Sequence, residues 1–278
     1  MTVEGPVGLP LQMHQGTHYQ VFGDATKPTL VLIHGVGLDH TMWHSQVRSL
    51  GLNYQVLTYD LTGHGMSHHA TSETDLASLG QQLLQLIDHL QLGKVNLVGF
   101  SLGGLVARVF ATAHNERLNS LVIMNSVFNR SSQLRSAILD RIAQVEEHGP
   151  SANIDQALER WFSPEYASAN PVYMMHLRDK VLNNHRPSYS RCYRLFGEGD
   201  NIALAQLEQI SCPTLVMTGA LDPGSTPAMS TALADKIASA STQIISEARH
   251  MMPVENADQV NQCLEQFLER HNVHHTVP

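Results

Sequence analysis

The sequence has few cysteines, few basic residues at its start and no long apolar run, and each shortage excludes a class of protein. Three cysteines in 278 residues are an odd number and too few for a disulfide framework, which favours a reducing cytoplasm. Runs of large apolar residues are far shorter than the roughly 18 residues that cross a bilayer, so we expect no membrane span. The first lysine or arginine is Lys27, and without a basic start and an apolar segment we predict no secretory signal.

Positive charge and cofactor motifs are also scarce. Seventeen Lys and Arg residues stand against 25 Asp and Glu residues, which gives a formal net charge of -8. A chain with this balance repels phosphate backbones and anionic headgroups, so we expect no nucleic-acid partner and no membrane partner. No H-E-x-x-H or C-x-x-C spacing occurs, and no glycine-rich phosphate loop follows a strand-like run. The sequence therefore predicts no metal and no cofactor, and we interpret His271, His274 and His275 as part of a tail.

What the sequence does contain is the pattern of a globular α/β protein. Apolar residues make up 42 % of the chain, and runs rich in Val, Ile and Leu alternate with segments of helical period. That order is typical of a parallel sheet covered by helices. An antiparallel hairpin is predicted first, at 9–14 and 17–22, and helices are predicted at 75–92 and 257–270. The predicted parallel strands are 29–33, 55–59, 95–99, 120–124, 214–218 and 243–245.

Residues 127–206 depart from this alternation and consist of helical segments with aromatic and basic residues. We therefore predict an α/β core from residues 1–126 and 207–278, with residues 127–206 inserted as a helical cap. The cap holds nine basic and nine acidic residues, so the net negative charge lies outside it. Arg186, Arg191 and Arg194 occur together without an acidic neighbour, and arginine suits carboxylate recognition. They are candidate substrate-binding residues, and the alternative is that they form a solvated helix face.

Ser101 is the candidate nucleophile. It lies in Gly99-Phe100-Ser101-Leu102-Gly103, between a strand-like run and a helix-like run. Small residues on both sides are what a sharp strand-to-helix elbow requires, because a strained backbone leaves no room for neighbouring side chains. The match to G-x-S-x-G can occur by chance in a chain of this length, but the strand before it and the helix after it favour the elbow.

Two backbone N–H groups are candidates for the oxyanion hole that a serine nucleophile needs. Val36 lies in His34-Gly35-Val36-Gly37, directly after a predicted strand, and Leu102 follows the nucleophile. A glycine-rich turn at a strand end can present one N–H and the elbow can present the other. His34 and Gly35 are candidate substrate-binding residues. The alternative is that the glycines only close a loop and that His34 packs beneath it.

Chain order selects the base and the acid from seventeen histidines and many carboxylates. His250 lies between the last predicted strand and the last helix, and Asp222 follows the predicted strand at 214–218. Serine, acid and histidine in this order form a catalytic triad on an α/β scaffold. Asp222 precedes a proline, so its alternative role is an ordinary turn residue. The other common position for the acid holds an amide, Asn125.

Together these motifs resemble the α/β-hydrolase superfamily, which has H-G-x-G, D-x-x-G-x-G-x-S, G-x-S-x-G, an acid-bearing turn and a final histidine in the same order. The chain is most similar to the small bacterial catabolic hydrolases around 3-oxoadipate enol-lactonase and related carboxylesterases, through residues 35–39, Trp43 and residues 226–227. Ser101 differs from the aspartate nucleophile of haloalkane dehalogenases and epoxide hydrolases. Met251 stands where relatives that cleave carbon-carbon bonds usually have tryptophan.

The resemblance implies a serine hydrolase that cleaves a small ester or lactone in the catabolism of aromatic or heterocyclic compounds, and the cap arginines add the expectation that the substrate bears a carboxylate. Four alternatives stay open: an enamide hydrolase of the acylaminomethylene-succinate type, a carbon-carbon bond hydrolase, a cofactor-free haloperoxidase, and a non-catalytic ligand-binding protein on the same fold. The expected partner is a small molecule, and it is an anion if one of the cap arginines binds a substrate carboxylate. The substrate, the cap residues that line the pocket and the oligomeric state are not determined by the sequence.

Overall fold

The computed structural model of the chain describes residue 6 and residues 8–271. The sequence predictions for residues 1–5 and for His274 and His275 therefore lie outside the described residues. Across the described part of the chain, every helix is too short or too polar to span a bilayer.

Eight strands form one sheet in the order β1-β2-β4-β3-β5-β6-β7-β8. The pairs β1–β2 and β2–β4 are antiparallel, and the other neighbours are parallel. The prediction of a mostly parallel sheet after an antiparallel hairpin is confirmed. The strands are β1 (Gln12–His14), β2 (Thr17–Phe22), β3 (Thr29–Ile33), β4 (Gln55–Tyr59), β5 (Val95–Phe100), β6 (Leu118–Met124), β7 (Thr214–Gly219) and β8 (Ala240–Ile245).

Most strand bounds agree with the sequence prediction, and the largest differences are at the starts of β1, which begins at Gln12 rather than at residue 9, and of β8. That strand begins at Ala240, whereas the prediction began at residue 243. It lies at one edge of the sheet, and its first residues alternate between partly buried and exposed side chains. Polar residues such as Ser241 and Thr242 are compatible with such an edge, so the apolar run marked only the end of the strand.

Helices cover the sheet and fill the long connection after β6. Helix α2 has a capping box in which Ser78 N–H donates to Asp75 Oδ1 at 2.7 Å. The α-helices are α1 (His44–Leu50), α2 (Leu76–His89), α3 (Leu102–Ala113), α4 (Ser132–His148), α5 (Ile154–Trp161), α6 (Pro164–Ala169), α7 (Pro171–Leu182), α8 (Arg186–Glu198), α9 (Pro227–Ala234), α10 (Met252–Glu255) and α11 (Ala257–His271). Short 3₁₀ helices lie at His40–Trp43, Asn115–Arg117, Gly149–Ala152, Gly199–Asn201 and Leu204–Gln209.

Residues 127–206 supply α4 to α8, and we refer to this segment as the cap. Several polar contacts fasten it to the rest of the chain: Lys180 pairs with Asp39, and Ala70 N–H donates to Ser188 Oγ at 2.9 Å. The buried Arg108 of α3 donates to the carbonyl of Gly199 at 2.7 Å. The cap is thus bound to loops at the carboxyl ends of the strands. Its assignment as a unit separate from the core stays a proposal.

Candidate active site

The carboxyl ends of the parallel strands bring the sequence-predicted site residues to one edge of the sheet. His34 follows β3, Ser101 follows β5 and His250 comes after β8. Asp222 follows β7, and Asn125 follows β6. Ligands bind at this edge in open α/β sheets, because the loops that leave parallel strands converge there.

Ser101 occupies a strained elbow between β5 and α3. Its backbone has φ 55° and ψ −112°, a left-handed φ that a non-glycine residue adopts only at some cost. The flanking glycines make the elbow possible: a Cβ on Gly99 would lie 2.2 Å from the Gly103 carbonyl oxygen, and a Cβ on Gly103 would lie 2.4 Å from that of Ile33. The backbone N–H of Ser101 donates to the carbonyl of Met124 at 2.9 Å. These contacts place the serine at the end of the central strands.

His250 and Asp222 form a buried pair. The imidazole Nδ1 lies 2.6 Å from Asp222 Oδ2, and Asn125 Nδ2 donates to the same oxygen at 2.9 Å. The other oxygen, Oδ1, accepts the backbone N–H groups of Gly224 at 2.9 Å and Ser225 at 3.0 Å. Because each carboxylate oxygen is held, the carboxylate has one orientation. An ionised Asp222 fixes the proton of His250 on Nδ1 and leaves Nε2 to accept a proton.

The pKa of Asp222 shows that the pair favours an ionised carboxylate. Burial opposes ionisation, but the charge of the His250 imidazole and hydrogen bonds from His250, Asn125 and Ser225 outweigh it, and together they hold the pKa below its ordinary value. Asn125, which sequence analysis noted only as an amide at the alternative acid position, therefore contributes a hydrogen bond to the acid.

Ser101 and His250 line one small cavity of about 70 Å³. Both are almost fully buried, with exposed fractions of 3 % and 7 %. Asp222 and Val36 line the same cavity. The structure thus brings together the predicted nucleophile, base and acid with one of the predicted oxyanion donors.

The second predicted oxyanion donor is the N–H of Leu102, the first residue of α3. An N–H at this position has no acceptor within its own helix, and the helix dipole adds partial positive charge there. This backbone N–H belongs to the residue after the candidate nucleophile Ser101, the position that an oxyanion hole at a nucleophile elbow uses.

His34 and Gly35 lie beneath the cavity rather than among its lining residues. His34 is fully buried, its Nδ1 lies 2.8 Å from the Gly35 carbonyl oxygen, and its Nε2 accepts the N–H of Leu61 at 3.0 Å. The Gly35 carbonyl also accepts the N–H of Leu38 at 3.3 Å. Since this carbonyl shares a peptide plane with the N–H of Val36, His34 fixes the direction of that N–H.

The structure does not bring Arg186, Arg191 or Arg194 to the cavity. Arg186 is exposed and donates to the carbonyl of Glu147. Arg191 Nε donates to the carbonyl of Thr74 at 2.6 Å. Arg194 pairs with Glu146 of α4 and with Glu198, which lies one turn further along α8. The hypothesis that one of these three receives a substrate in the cavity is therefore corrected: none lines it, Arg194 is paired with carboxylates, and Arg186 and Arg191 donate to backbone carbonyls elsewhere.

Two other cap arginines line the cavity instead, Arg141 of α4 and Arg160 of α5. Neither guanidinium has a hydrogen bond or an ion pair with any residue that the structure describes. Burial, reinforced by the charge of Arg141, lowers the pKa of Arg160. Arginine stays protonated at neutral pH despite such a shift. The cavity thus contains unpaired positive charge.

Sequence analysis missed these two arginines, although a signal for one of them was present. Arg141 lies at helical spacing beside the buried residues Ile138, Ile142 and Val145 of α4. An arginine on the apolar side of an amphipathic helix faces inward, whereas acid-free stretches such as 186–194 say nothing about direction. The aromatic part of the lining was also missed: Trp161, Tyr189, Tyr193 and Phe196.

The residues that line the cavity of Ser101 and His250, rather than its volume, identify it as the candidate active site. A cleft of about 770 Å³ lies between the cap and the core loops, with Asp39, His64, Lys180 and Asn184 in its lining. It contains none of the triad candidates. Within residue 6 and residues 8–271, no group of three or more His, Cys, Asp or Glu side chains is placed to share a metal ion.

Comparison with known proteins places the chain among hydrolases. Residues 28–257 match the family described as alpha/beta hydrolase fold. An (E)-2-((N-methylformamido)methylene)succinate hydrolase of Acinetobacter baylyi is 29 % identical over 94 % of this chain and 97 % of its own length. The 3-oxoadipate enol-lactonase 2 of the same organism is 29 % identical over 92 % of this chain and 94 % of its own length.

A solved structure shows the same architecture. The enol-lactonase from Burkholderia xenovorans LB400 has a TM-score of 0.84 and 29 % identity, and the match covers 94 % of this chain and all of that one. The resemblance and the fold class that the motifs predicted are confirmed by these matches.

Proposed function

The chain belongs to the α/β-hydrolase family, and on that premise we propose that it is a serine hydrolase that cleaves a small, carboxylate-bearing ester or lactone through an acyl-enzyme. Ser101 is the nucleophile, His250 the general base and Asp222 the acid that orients the base. The backbone N–H groups of Val36 and Leu102 form the oxyanion hole.

In the first half of the reaction, Ser101 Oγ attacks the substrate carbonyl carbon while His250 Nε2 takes the hydroxyl proton. The negative charge that develops on the carbonyl oxygen is stabilised by the two N–H groups. Collapse of the tetrahedral intermediate breaks the carbon-oxygen bond to the leaving group, which receives the proton from His250. In a lactone the leaving oxygen stays attached to the acyl group.

In the second half, water attacks the acyl-enzyme and His250 takes a proton from it. A second tetrahedral intermediate then collapses, the Ser101 oxygen leaves and the proton returns to it. Asp222 stays ionised throughout and stabilises the imidazolium that forms twice in the cycle. Its low pKa suits this role.

One observation carries the proposal. Ser101, on a strained elbow at the end of β5, shares a small cavity with His250, and Nδ1 of that imidazole is held 2.6 Å from the buried Asp222. A turn aspartate and a solvated histidine would not require this burial, or the four hydrogen bonds that fix the carboxylate. A non-catalytic binding protein needs no oriented base.

The substrate charge follows from Arg141 and Arg160. Two unpaired guanidinium groups in one cavity repel each other, and this arrangement is stabilised when an anion binds between or beside them. A guanidinium fork matches a carboxylate in two parallel hydrogen bonds. We therefore place the substrate carboxylate on these arginines, in place of the three exposed or paired arginines of α8.

The presence of two arginines favours a second candidate substrate. Each can receive one carboxylate, and an enamide of the acylaminomethylene-succinate type carries two. The A. baylyi relative is named as the hydrolase of such a compound. The same triad cleaves a carbon-nitrogen bond when His250 protonates the leaving nitrogen. A role in the catabolism of aromatic or heterocyclic compounds fits either substrate.

A matched substrate panel tests the proposal. Esters, lactones and enamides that carry zero, one or two carboxylates are compared by kcat/KM, with stoichiometric fluorophosphonate labelling of Ser101 as the check on the nucleophile. We expect turnover and labelling to be absent in Ser101→Ala and kcat/KM to rise with the number of carboxylates. Unchanged turnover in Ser101→Ala contradicts the mechanism, and a preference for neutral substrates contradicts the role of the arginines.

A further inference from the structure

The loop that carries His250 is bound to the cap on both sides of the histidine. Before it, Arg249 Nη1 donates to the carbonyl of Glu159 at 3.0 Å. After it, the N–H of Met251 donates to the carbonyl of Trp161 at 3.0 Å. Both acceptors lie at the end of α5. The base is thus held between two hydrogen bonds to one short piece of the cap.

A third contact joins the cap to the segment after His250, about one helical turn further along each chain segment. Glu255, at the end of α10, accepts the backbone N–H of Ser163 at 3.1 Å and also accepts its hydroxyl. Ser163 is the N-cap of α6, where its Oγ accepts the N–H of Tyr166 at 3.1 Å. The carboxylate therefore ties the junction of α5 and α6 to the segment that follows the base. Glu255 is not among the residues that line the catalytic cavity.

The side chain of Trp161 completes the contact. Its ring lies at 6.2 Å from the His250 ring between centroids, with 28° between the planes. Phe100 of β5 provides a second aromatic neighbour at 5.0 Å. An aromatic face attracts an imidazolium and excludes water from it. Trp161 thus meets both the base and the substrate cavity that it lines.

We propose that Glu255 and Trp161 are positioning residues for the base, so that the seating of the cap determines the placement of His250. The inference rests on the proposed function, since it requires His250 to be the base. The side chain of Arg249 and the backbone N–H of Met251 tether the loop to α5. The Glu255 carboxylate holds the next cap segment against it, and the indole ring of Trp161 restricts the imidazole. If the cap is displaced from the core, His250 is no longer aligned with Ser101.

The physical reason is the narrow tolerance of proton transfer. A base must lie within hydrogen-bond reach of the proton it takes, and errors of the order of 1 Å cost about 100-fold in rate. Asp222 holds only Nδ1, and a ring held at one atom can still tilt. Contacts on the loop and on the ring face remove that freedom. The other titratable or charged groups that line the cavity with the imidazole are Asp222, Arg141, Arg160, Tyr189 and Tyr193, and Arg249 is its neighbour in the loop. The variants proposed as tests change none of them.

Glu255→Ala is the principal test, because this residue has no contact with the cavity. With p-nitrophenyl acetate, a neutral ester that does not need the arginines, we expect kcat to fall about tenfold with KM nearly unchanged. We also expect the acid limb of the pH profile of kcat to move. Glu255→Gln keeps an acceptor for the Ser163 N–H and should recover most of the rate. Glu165→Ala, at an exposed glutamate in the first turn of α6, is the matched control and should behave as wild type.

Trp161→Ala and Trp161→Phe form the second pair, which decides the question by the same readouts if Glu255→Ala fails to fold. The alanine variant should lower kcat and move the acid limb, and the phenylalanine variant should restore both. If wild type does not turn over, or if Ser101→Ala does, the proposed function fails. If wild type turns over through Ser101 but the Glu255→Ala and Trp161→Ala profiles match it, the proposed function stands and the positioning role is wrong.

Discussion

The two halves of the candidate site are built by different means. The core half consists of residues in the loops that leave the strands: Ser101 after β5, Asp222 after β7 and Val36 after β3. The cap half consists of helix faces, with Arg141 on α4 and Arg160 on α5. A strand end in a parallel sheet has a fixed place, whereas the direction of a residue on a cap helix depends on how that helix packs.

This difference separates reactivity from selectivity. In the proposed mechanism, the core half supplies the nucleophile, the base and the oxyanion donors, which any acyl substrate needs. The cap half supplies unpaired positive charge and aromatic surface, which only some substrates can use. We therefore expect core substitutions to affect all substrates alike and cap substitutions to affect them unequally.

The largest effect is expected for Ser101→Ala. Removing the nucleophile of a triad typically costs about 10⁶-fold in kcat, and the loss should be the same for neutral and anionic esters. Steady-state kinetics and fluorophosphonate labelling measure it, and the thermal unfolding midpoint serves as the control for folding. A loss confined to one class of ester would break the distinction between the two halves.

Asp222→Asn should have the next largest effect. The amide can donate to Nδ1, so the imidazole is held in the tautomer that cannot accept the serine proton, and triads lose about 10⁴-fold in kcat in this way. Comparing a neutral with an anionic ester again checks for equal losses. An unchanged kcat in Asp222→Asn would mean that the acid lies elsewhere in the chain.

His34→Ala tests a core residue that lies outside the cavity. Without its ring, the Gly35 carbonyl and the Leu61 N–H each lose a buried partner, and the peptide that presents the Val36 N–H can turn. We expect about a tenfold lower kcat for both ester classes, less than the loss of an oxyanion donor itself, and a lower thermal unfolding midpoint. An unequal effect on the two esters would assign His34 to substrate binding after all.

Arg160→Ala tests the cap half. Loss of a charge-assisted hydrogen bond should lower kcat/KM for an anionic ester about 10- to 100-fold and should leave the neutral ester nearly unaffected. Arg141→Ala should act in the same direction. Equal losses for both esters would show that these arginines support the fold of the cap rather than the substrate.

Arg194→Ala is the matched control and should have the smallest effect. Its guanidinium already pairs with Glu146 and Glu198 at a partly exposed position, and such surface pairs contribute at most about 1 kcal/mol. We expect unchanged kcat/KM for both esters and a nearly unchanged unfolding midpoint. A selective loss of the anionic ester would restore the hypothesis that α8 binds the substrate.

The sequence by itself determined the sheet, the elbow and the chain order of the triad candidates. Those features leave local patterns in the sequence: apolar runs mark buried strands, and the glycines around Ser101 mark the close contacts of the elbow with itself and with the end of β3. The base followed from order alone, because the last loop after the last strand must return to the same edge of the sheet as Ser101.

Only the tertiary structure decided which cap residues meet the triad candidates. Arg160 and Arg194 are both arginines on cap helices, yet one lines the cavity and the other pairs with glutamates at the surface. The structure also showed that residues 159–163 hold the loop of His250, through contacts between segments about 90 residues apart. Composition and periodicity predict that a segment is helical, but they do not tell which residues its faces contact. In this protein those contacts are set by how the cap helices pack on the carboxyl ends of the strands.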